Sequence, residues 1–281
     1  MLIYLNGDWL DPEDAKVSVL DRAFLFGDGV YETLRTYDRN IVAIWDHLDR
    51  LRNSANGLGI DVPDPSHLVK MIEKGVDEIG DDDVYIRIIV TRGNPPFTMK
   101  VERNVPNIVM LFERVSELRG KINYEEGVKV SLSRIRKIPP ESFDPRIKSI
   151  GQPDRIMARL EMEPDDYEAI MLTVKGLVAE GTMSTIFMVK NGILITPSLE
   201  TGILDGITRK YVIKLAREKG IKVEERFVEV KELFECDEIF LTHTSGGIVP
   251  VGIFENGRKM VGEVTKSILK DFKDFVISEG R

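Results

Sequence analysis

The sequence predicts an α+β chain folded as two mixed α/β domains. The chain has 281 residues, which is enough for two medium-sized hydrophobic cores. Segments with the period-2 alternation of strands and segments with helical periodicity follow one another in both halves. Residues 118–127 are polar and contain glycines, so we expect an interdomain linker there. The small domain is then expected over 1–117 and the large domain over 128–281.

In the first half, turn signals and periodicity place the elements. Asn6-Gly7 lies between apolar stretches and predicts a hairpin. Apolar residues between Trp45 and Leu58 recur at helical spacing and glycines close the run, so we expect a helix there. The other elements expected in this half are two strands over 29–44 with a turn at 38–40, a helix over 66–79, and strands over 84–90 and 107–115.

In the second half, strands and helices alternate again. A proline-rich loop over 138–145 leads to Lys148, and a glycine-rich loop is expected over 244–247. The strands are expected over 128–133, 167–173, 177–180, 185–196 with a turn at 191–192, 221–228 and 238–242, followed by a hairpin at 255–257. The helices are expected over 153–162, over 207–219 and at the carboxyl end.

The composition argues against several classes of function. The net charge of -8 is unlike that of a nucleic-acid-binding protein, which needs clustered Lys and Arg in excess of acids. The single cysteine excludes an intrachain disulfide and is typical of a reducing cytoplasm. Three widely separated histidines and no cysteine pair argue against a metal site. The sequence predicts neither export nor membrane insertion, and small molecules are the expected ligands.

Glu180 is a lone carboxylate in the uncharged, strand-like run from Leu177 to Phe187. If it is buried without a partner, it incurs a large desolvation free energy or must take up a proton. It therefore needs a cationic partner, and the protonated ring nitrogen of pyridoxal phosphate (PLP) is one such cation. The alternative is a solvated glutamate in a hairpin.

Gly206-Ile207-Thr208 begins a helix pattern and is a candidate anion site. The first amides of a helix have no helical acceptor and the helix dipole is positive there, so a phosphate can bind, with the Thr208 hydroxyl as a further donor. The alternative is that Thr208 only caps the helix.

Two cations complete the set of candidates. Arg50 lies on the helix predicted over 45–58, and its guanidinium can hold a phosphate through two hydrogen bonds. A surface salt bridge to Asp46 or Asp49 is the alternative. Lys148 lies between isoleucines after a structured loop, and a Schiff-base lysine needs such partial desolvation. A solvated lysine is the alternative.

Taken together, these segments resemble the fold-type IV PLP enzymes, the class IV aminotransferases. That family includes branched-chain amino acid aminotransferases, which the chain resembles most, D-amino acid aminotransferases and aminodeoxychorismate lyases. The resemblance covers essentially the whole chain and implies a site at the domain interface and a homodimer. The motifs that carry it are Asp21–Glu32, His47–Leu51, Ile147–Ser149, Val178–Gly181, Leu204–Arg209 and Ile248–Val251.

The resemblance implies a role for each matching residue. Lys148 would form the Schiff base with the cofactor and move the substrate proton, and Glu180 would keep the pyridine nitrogen protonated. Leu204 would pack against the ring. The groups that would hold the phosphate are Arg50, the amides of Ile207 and Thr208, and Thr244.

The substrate residues follow from the same resemblance. Tyr85 would contact the α-carboxylate of the substrate and Arg87 the distal carboxylate of glutamate. Phe97-Thr98-Met99 stands where the D-amino acid branch has Arg-x-His, which argues against D-specificity. The full set of expected substrate contacts is Tyr31, Arg35, Tyr85, Arg87, Thr244 and Ser245.

Three segments depart from the family pattern. Gly151-Gln152-Pro153 follows the lysine motif where Asn and then an aromatic residue or Leu are usual. Thr185 replaces a usual Asn, and Ser245-Gly246-Gly247 replaces two small residues and Glu. These changes affect the substrate assignment more than PLP binding.

We therefore expect a PLP-dependent aminotransferase that acts on amino and keto acids. It would exchange the amino group between a branched-chain L-amino acid and 2-oxoglutarate by a ping-pong Schiff-base mechanism. The alternatives on this fold are a D-amino acid or amine transaminase and an aminodeoxychorismate lyase. An alternative from another class is noncatalytic binding of a phosphate ligand, with Glu180 and Lys148 paired.

Overall fold

The computed structural model describes residues 1–96, 98, 100–118 and 122–278, with the backbone alone described at 117 and 118. Phe97, Met99 and the linker residues 119–121 lie outside the described residues. The chain forms two compact units, the first from Met1–Gly120, Ile147–Gly151 and Val276–Arg281, the second from Lys121–Arg146 and Gln152–Phe275. The short segment that carries Lys148 therefore belongs to the first unit, and no sequence pattern indicates this return of the chain.

The first unit is built on an antiparallel sheet. Its strands are β1 (Leu2–Leu5), β2 (Asp8–Leu10), β3 (Gly29–Tyr37), β4 (Asn40–Ile41), β5 (Val84–Thr91) and β6 (Asn107–Arg114). Its helices are α1 (Arg22–Phe26), α2 (Ile44–Leu58), α3 (Pro65–Ile79) and α4 (Val115–Leu118). Within the described residues the sheet has six strands in the order β2-β1-β6-β5-β3-β4.

The two faces of this sheet differ in character. One face packs against α2 and α3, and its core includes Leu34, Ile86 and Phe112, which are fully buried. Side chains alternate along a strand, so the residues between these core positions point to the opposite face. That face carries the candidate substrate residues of β3 and β5, which are Tyr31, Arg35, Tyr85 and Arg87.

The second unit is built on a mixed sheet. Its strands are β7 (Val128–Arg136), β8 (Glu168–Leu172), β9 (Val178–Gly181), β10 (Thr185–Lys190), β11 (Ile193–Pro197), β12 (Val223–Arg226), β13 (Glu238–His243), β14 (Gly247–Phe254) and β15 (Gly257–Arg258). Its helices are α5 (Pro153–Leu160), α6 (Ile207–Glu218), α7 (Val230–Glu235) and α8 (Glu263–Ser278), the last of which begins in this unit. The strand order in the described part is β12-β11-β10-β13-β14-β7-β8-β9, with β15 beside β14.

Parallel pairs occur at three places in this sheet. Strand β7 runs parallel to both β14 and β8, and β11 runs parallel to β12, whereas the other pairs are antiparallel. The pairing of β10 with β13 sets Thr185 opposite Thr242, and β13 packs against α6. The core of this unit includes Val130, Ile170 and Val249.

The longer helices and most strands lie within a few residues of their predicted positions. The sequence analysis did not predict α1, α4 and α7, because helices of four to six residues are too short to show a periodicity. No helix in the described ranges has both the length and the apolar character that spanning a bilayer requires.

Gly75 lies in α3 at a position where the packing leaves no space for a side chain. A methyl group there would come within 2.3 Å of the Phe112 ring, which is fully buried under α3. We expect Gly75→Ala to lower the free energy of unfolding by about 1–3 kcal/mol, although alanine favours helix, because the ring must move in a packed core. Urea unfolding of Gly75→Ala, Phe112→Leu and the double variant tests this. Simple additivity of the two single effects would contradict the steric explanation.

Candidate active site

Lys148 is held against the first unit by its own backbone. Its N–H donates to Ser54 Oγ at 3.0 Å, and its carbonyl accepts from the Tyr31 N–H at 2.9 Å. The next contact is Ile150 N–H to the Gly29 carbonyl at 3.1 Å. The segment is thus bonded to both α2 and β3, as an extended stretch with an isolated β-bridge between Ser149 and Val30.

Two glycines allow this close approach. A methyl group on Gly57 of α2 would come within 2.7 Å of Ile147 Cδ1. One on Gly29, at the start of β3, would come within 2.9 Å of Ile150 Cδ1 and of the Val90 carbonyl. The backbone on either side of Lys148 therefore packs where a larger residue would displace it.

The Lys148 amine lies over an aromatic ring that also contacts an arginine. Nζ is 4.6 Å from the centre of the Tyr31 ring, and the Arg87 guanidinium carbon is 4.1 Å from the same centre. Tyr31 is buried, whereas Lys148 and Arg87 are partly exposed. Three of the residues predicted from the sequence thus lie together in the first unit, with the Tyr31 ring in cation–π contact with both cations.

Arg50 is fixed by a buried carboxylate. Its Nε and Nη2 donate to the two oxygens of Glu32 at 2.6 and 2.9 Å, which is a bidentate pair. Glu32 is fully buried and also accepts from His47 Nδ1 at 2.9 Å. Arg50 therefore makes a buried pair, and Asp49, one of its two expected surface partners, pairs with Arg52 at 2.8 Å.

The charge states of this cluster follow from its burial. Burial alone would raise the pKa of Glu32, but the charge of Arg50 and the bonds from His47 and Arg50 hold it well below its usual range. Burial lowers the pKa of His47 against the opposing effect of Glu32. At neutral pH Glu32 is therefore ionised and His47 neutral, so the proton on Nδ1 points to the carboxylate.

Arg35 and Tyr85 lie farther along the same face. Arg35 makes a bidentate pair with Asp83, with Nε 2.6 Å from Oδ1, and its guanidinium stacks over Tyr37 at 4.3 Å. In the strand register Arg35 is opposite Tyr85, while Arg87 is opposite Thr33. The structure thus places Arg87 beside Tyr31 and engages Arg35 with an aspartate.

Glu180 is buried in the second unit and has two cationic partners. Lys137 Nζ is 2.6 Å from Oε1, and Arg155 Nη2 donates to the same oxygen at 2.8 Å. The Leu204 N–H donates to Oε2 at 3.2 Å. Burial would raise the pKa of Glu180, but the charges of Lys137 and Arg155 bring it below its usual value. The solvated-hairpin alternative is therefore excluded, and the carboxylate is ionised.

The start of α6 is a second feature of this unit. The helix begins at Ile207 after Gly206, and no side-chain cap is present among the described residues. Thr208 is buried in the first turn and does not act as the cap, which was the alternative. A methyl group on Gly206 would come within 3.1 Å of Thr185 Oγ1. The amides of the first turn thus emerge beside strand β10 with a positive helix dipole behind them.

The turn between β13 and β14 lies at the end of a strand that packs against α6. It contains Thr244, which is half-buried, and Ser245, whose Oγ is 3.3 Å from Nδ1 of His243, the last residue of β13. The Gly246 N–H donates to the same nitrogen at 2.9 Å, so Nδ1 carries no proton. His243 Nε2 then donates to the Tyr167 hydroxyl at 2.9 Å, which fixes the imidazole beside the turn.

The sequence analysis missed the residues that hold the candidates in place. Glu32 and His47 orient Arg50, Ser54 holds Lys148, and Lys137 and Arg155 neutralise Glu180. A signal existed for the first pair only. Glu32 lies between Val30 and Leu34 in period 2, which places it on the core face of β3.

The donor set of the chain fits PLP. The ligand has a phosphate, an aldehyde and a ring nitrogen. The uncapped start of α6 offers amides to a phosphate, and Lys148 offers an amine. A carboxylate has about four lone-pair sites, and Oε2 of Glu180 accepts one backbone hydrogen bond, so it has acceptor capacity for a ring N–H.

The chain is similar to known proteins over most of its length. The family described as amino-transferase class IV matches residues 29–253. A protein of Methanocaldococcus jannaschii named "Putative branched-chain-amino-acid aminotransferase" is 39% identical over 98% of this chain and 96% of its own. The aminodeoxychorismate lyase of Bacillus subtilis is 30% identical over 99% of this chain and 97% of its own.

Solved structures match over nearly the whole chain. The branched-chain aminotransferase of Thermoproteus uzoniensis with norvaline has a TM-score of 0.92 at 32% identity, covering 99% of this chain and 95% of its own. The branched-chain amino acid aminotransferase of T.th., complexed with N-(5'-phosphopyridoxyl)-L-glutamate, has a TM-score of 0.90 at 26% identity, covering 100% and 95%.

The buried Glu32–Arg50 pair makes a testable prediction about stability. Replacing Glu32 by Gln leaves the buried guanidinium without its counter-charge, and we expect this to lower the free energy of unfolding by about 3–5 kcal/mol. Asp49→Asn breaks an exposed pair on the same helix and should cost less than about 1 kcal/mol. Urea unfolding of the cofactor-free protein measures both. Equal effects of the two variants would contradict the assignment of Glu32 as the residue that fixes Arg50.

Proposed function

The chain belongs to the class IV aminotransferases, and from that premise we propose that it exchanges an amino group between a branched-chain L-amino acid and 2-oxoglutarate. Its cofactor is PLP. The observation that carries the assignment of its site is the buried, ionised Glu180 with a second acceptor position on Oε2. The names of the three branched-chain aminotransferases described above support the substrate class.

The cofactor supplies one property that no side chain has. When bound, PLP draws electrons from the α carbon of an amino acid through its protonated ring, so the α proton becomes acidic. The chain must therefore hold the ring, keep its nitrogen protonated, bind the phosphate, and place a base next to the α carbon.

We assign the base to Lys148. Its backbone is fixed by Ser54, Tyr31 and Gly29, so only the side chain is left to move. Nζ is proposed to hold the cofactor in the resting enzyme and, after the substrate amine takes its place, to remove the α proton. The hydrogen bonds and the close packing of the flanking isoleucines keep the amine in position for both tasks.

We propose that Glu180 binds the ring nitrogen of PLP. The groups proposed to bind its phosphate are Arg50, the Ile207 and Thr208 amides, and Thr244. Glu180 remains ionised and accepts the ring N–H on Oε2. Arg50 presents a guanidinium whose plane Glu32 fixes, which reduces the entropy lost when it binds an anion. Leu204, whose N–H contacts Glu180, is proposed to pack against the ring.

We propose that the carboxylates of the substrates bind at the sheet face of the first unit that is opposite α2 and α3. Arg87 and Tyr31 form a stacked pair there, and Tyr85 lies on the same face. We propose that Arg87 binds the distal carboxylate of 2-oxoglutarate, and that Arg35 supports this face through Asp83. Thr244 and Ser245 are proposed to complete the substrate contacts. Because the amino group leaves the first substrate before the second binds, the kinetics are ping-pong.

The second candidate function is that of an aminodeoxychorismate lyase. The specific observation in its favour is the 30% identity, over 99% of this chain, to the lyase of Bacillus subtilis. A lyase would cleave aminodeoxychorismate without an amino acceptor. The two candidates therefore differ in whether 2-oxoglutarate is consumed.

Lys148→Ala tests the proposed function. We expect loss of covalent attachment of PLP after borohydride reduction, and a fall of roughly 10²–10⁴-fold in transamination of L-valine or L-leucine, because the base is removed. The control is Lys175→Ala, an exposed lysine in the turn before β9. The measurements are peptide mass mapping and glutamate release from 2-oxoglutarate.

Parallel assays of D-alanine and aminodeoxychorismate separate the alternatives. Turnover of aminodeoxychorismate without 2-oxoglutarate, and none of L-valine, would replace the proposal by the lyase. Attachment of PLP to a lysine other than Lys148 would contradict the assignment of the site.

We further propose that the enzyme is a homodimer. Helix α1 is firmly attached, since Asp21 caps it and accepts from Thr91 and Asn107. Its outward side chains are nevertheless apolar, and Phe24 is 70% exposed. With Val17, Val19, Leu20 and Phe26 they form an exposed apolar segment, which is typical of a surface that a second copy covers.

Phe24→Asp tests the dimer. In a symmetric dimer the new carboxylate would be buried once in each copy, and burying a charge is costly. We therefore expect the variant to sediment as a monomer and the wild type to sediment as a dimer. Met260→Asp, at an equally exposed apolar position of the second unit, is the control and should leave the sedimentation coefficient unchanged. A monomeric wild type with full activity would refute the proposal.

A further inference from the structure

Helix α5 directs Arg155 into the protein together with Ala158, while its larger apolar residues are exposed. Arg155 is directed inward, whereas Arg159 is 43% exposed and Ile156, Met157 and Leu160 are each more than half exposed. The side chain of Arg155 is 16% exposed. Charged residues normally lie on the solvent side of an amphipathic helix, so the inward direction of Arg155 requires a specific attraction.

That attraction is visible for Arg155. Its Nη1 donates to the Thr182 carbonyl at 2.8 Å and its Nη2 to Glu180 Oε1 at 2.8 Å. The two bonds fix the guanidinium to both the end of β9 and the turn that follows it. Arg159, one helical turn later, is directed elsewhere: it donates to Thr182 Oγ1 at 3.0 Å and lies 3.9 Å from Glu168.

The two oxygens of Glu180 therefore have different surroundings. Oε1 is bound by Lys137 and Arg155, so two cations share one oxygen. Oε2 is bound by the neutral Leu204 amide. The carboxylate and its two bound cations together carry a net positive charge, so Glu180 is more than neutralised by the residues that contact it.

We propose that Arg155 is a positioning residue that, together with Lys137, commits Oε1 of Glu180 and leaves Oε2 to accept the proton of the cofactor ring nitrogen, while weakening the hold on that proton. This inference rests on the proposed function, in which Glu180 faces the ring nitrogen. A carboxylate that already shares its charge with two cations is a weaker acceptor, and the same cations repel a protonated ring.

The consequence is a ring nitrogen that loses its proton at a lower pH than it would beside Glu180 with Lys137 alone. The ring then draws electrons less strongly at high pH, which limits the acidity of the substrate α proton. The lowered pKa of Glu180 agrees with this arrangement, since burial opposes it and the two cations overcome that effect. Arg155 thus acts on the reaction through Glu180 without touching the substrate.

The experiment is a pH titration of the holoenzyme that contains PLP labelled with ¹⁵N at the ring. The ¹⁵N chemical shift reports protonation of the ring nitrogen directly and is independent of turnover. In Arg155→Gln we expect the titration midpoint to rise by about one pH unit, because one nearby positive charge is removed. The matched control is Arg159→Gln, which removes a charge of the same helix whose hydrogen bond goes to Thr182, and its midpoint should remain that of the wild type.

Two further variants keep the test decisive if Arg155→Gln does not fold. Arg155→Lys retains the cation and should titrate as the wild type does. Lys137→Gln removes the other cation on Oε1 and should raise the midpoint as Arg155→Gln does. A wild-type midpoint in Arg155→Gln overturns the inference, as does a wild-type midpoint in Lys137→Gln if Arg155→Gln does not fold.

The failure of this inference is distinguishable from the failure of the proposed function. If borohydride attaches the labelled cofactor to Lys148 and the ring titrations coincide in all variants, only the role of Arg155 is wrong. If the labelled cofactor is not attached to Lys148, the proposed function itself is wrong. A carboxylate ¹³C titration of Glu180 in the cofactor-free protein gives a second readout, in which Arg155→Gln should raise the pKa of Glu180.

Discussion

The rest of the structure depends on one constraint, which is that a carboxylate buried away from water must be compensated by cations or hydrogen-bond donors of the chain. Both units meet it with cations at residues that we propose for the site. In the first, Glu32 is paired with Arg50 and accepts a bond from neutral His47. In the second, Glu180 is paired with Lys137 and Arg155. Such pairs contribute little net stability over an apolar core, but removing one partner is costly, so they fix geometry more than they stabilise.

The sequence alone predicted the class of the fold, and the key side chains were proposed from it, because both depend on local patterns. Periodicity placed α2 and α6, and a lone carboxylate in an apolar strand indicated that Glu180 needs a cation. It could not identify which cation, since Lys137 and Arg155 are brought to Glu180 only by the packing of the second unit. The buried partner of Arg50 escaped for the same reason: Asp46 and Asp49 are near in sequence, but Glu32 is near in space.

Lys148 shows a different limit of sequence reasoning. Its position depends on glycines at 29 and 57, where the absence of a side chain lets the backbone of β3 and the surface of α2 come close to Ile150 and Ile147. An absent side chain leaves no periodic signal. The lysine is therefore recognisable from its motif, whereas the reason it is held so firmly becomes visible only when the segment is seen bonded to Tyr31 and Ser54.

The departure from the family pattern after Lys148 has a physical content that follows from these constraints. Gln152 precedes α5, and Pro153 is its first residue. Proline suits this position because an N–H in the first turn of a helix has no helical acceptor, so the lack of one costs nothing there. A helix that begins at this point brings Arg155 into its first turn, within reach of Glu180 and the Thr182 carbonyl. This change does not alter the phosphate-binding groups that we assign to α6 and Arg50. We therefore propose that the departure acts, through Arg155 and Glu180, on the charge around the cofactor ring, and that it leaves the residues proposed to hold the phosphate unchanged.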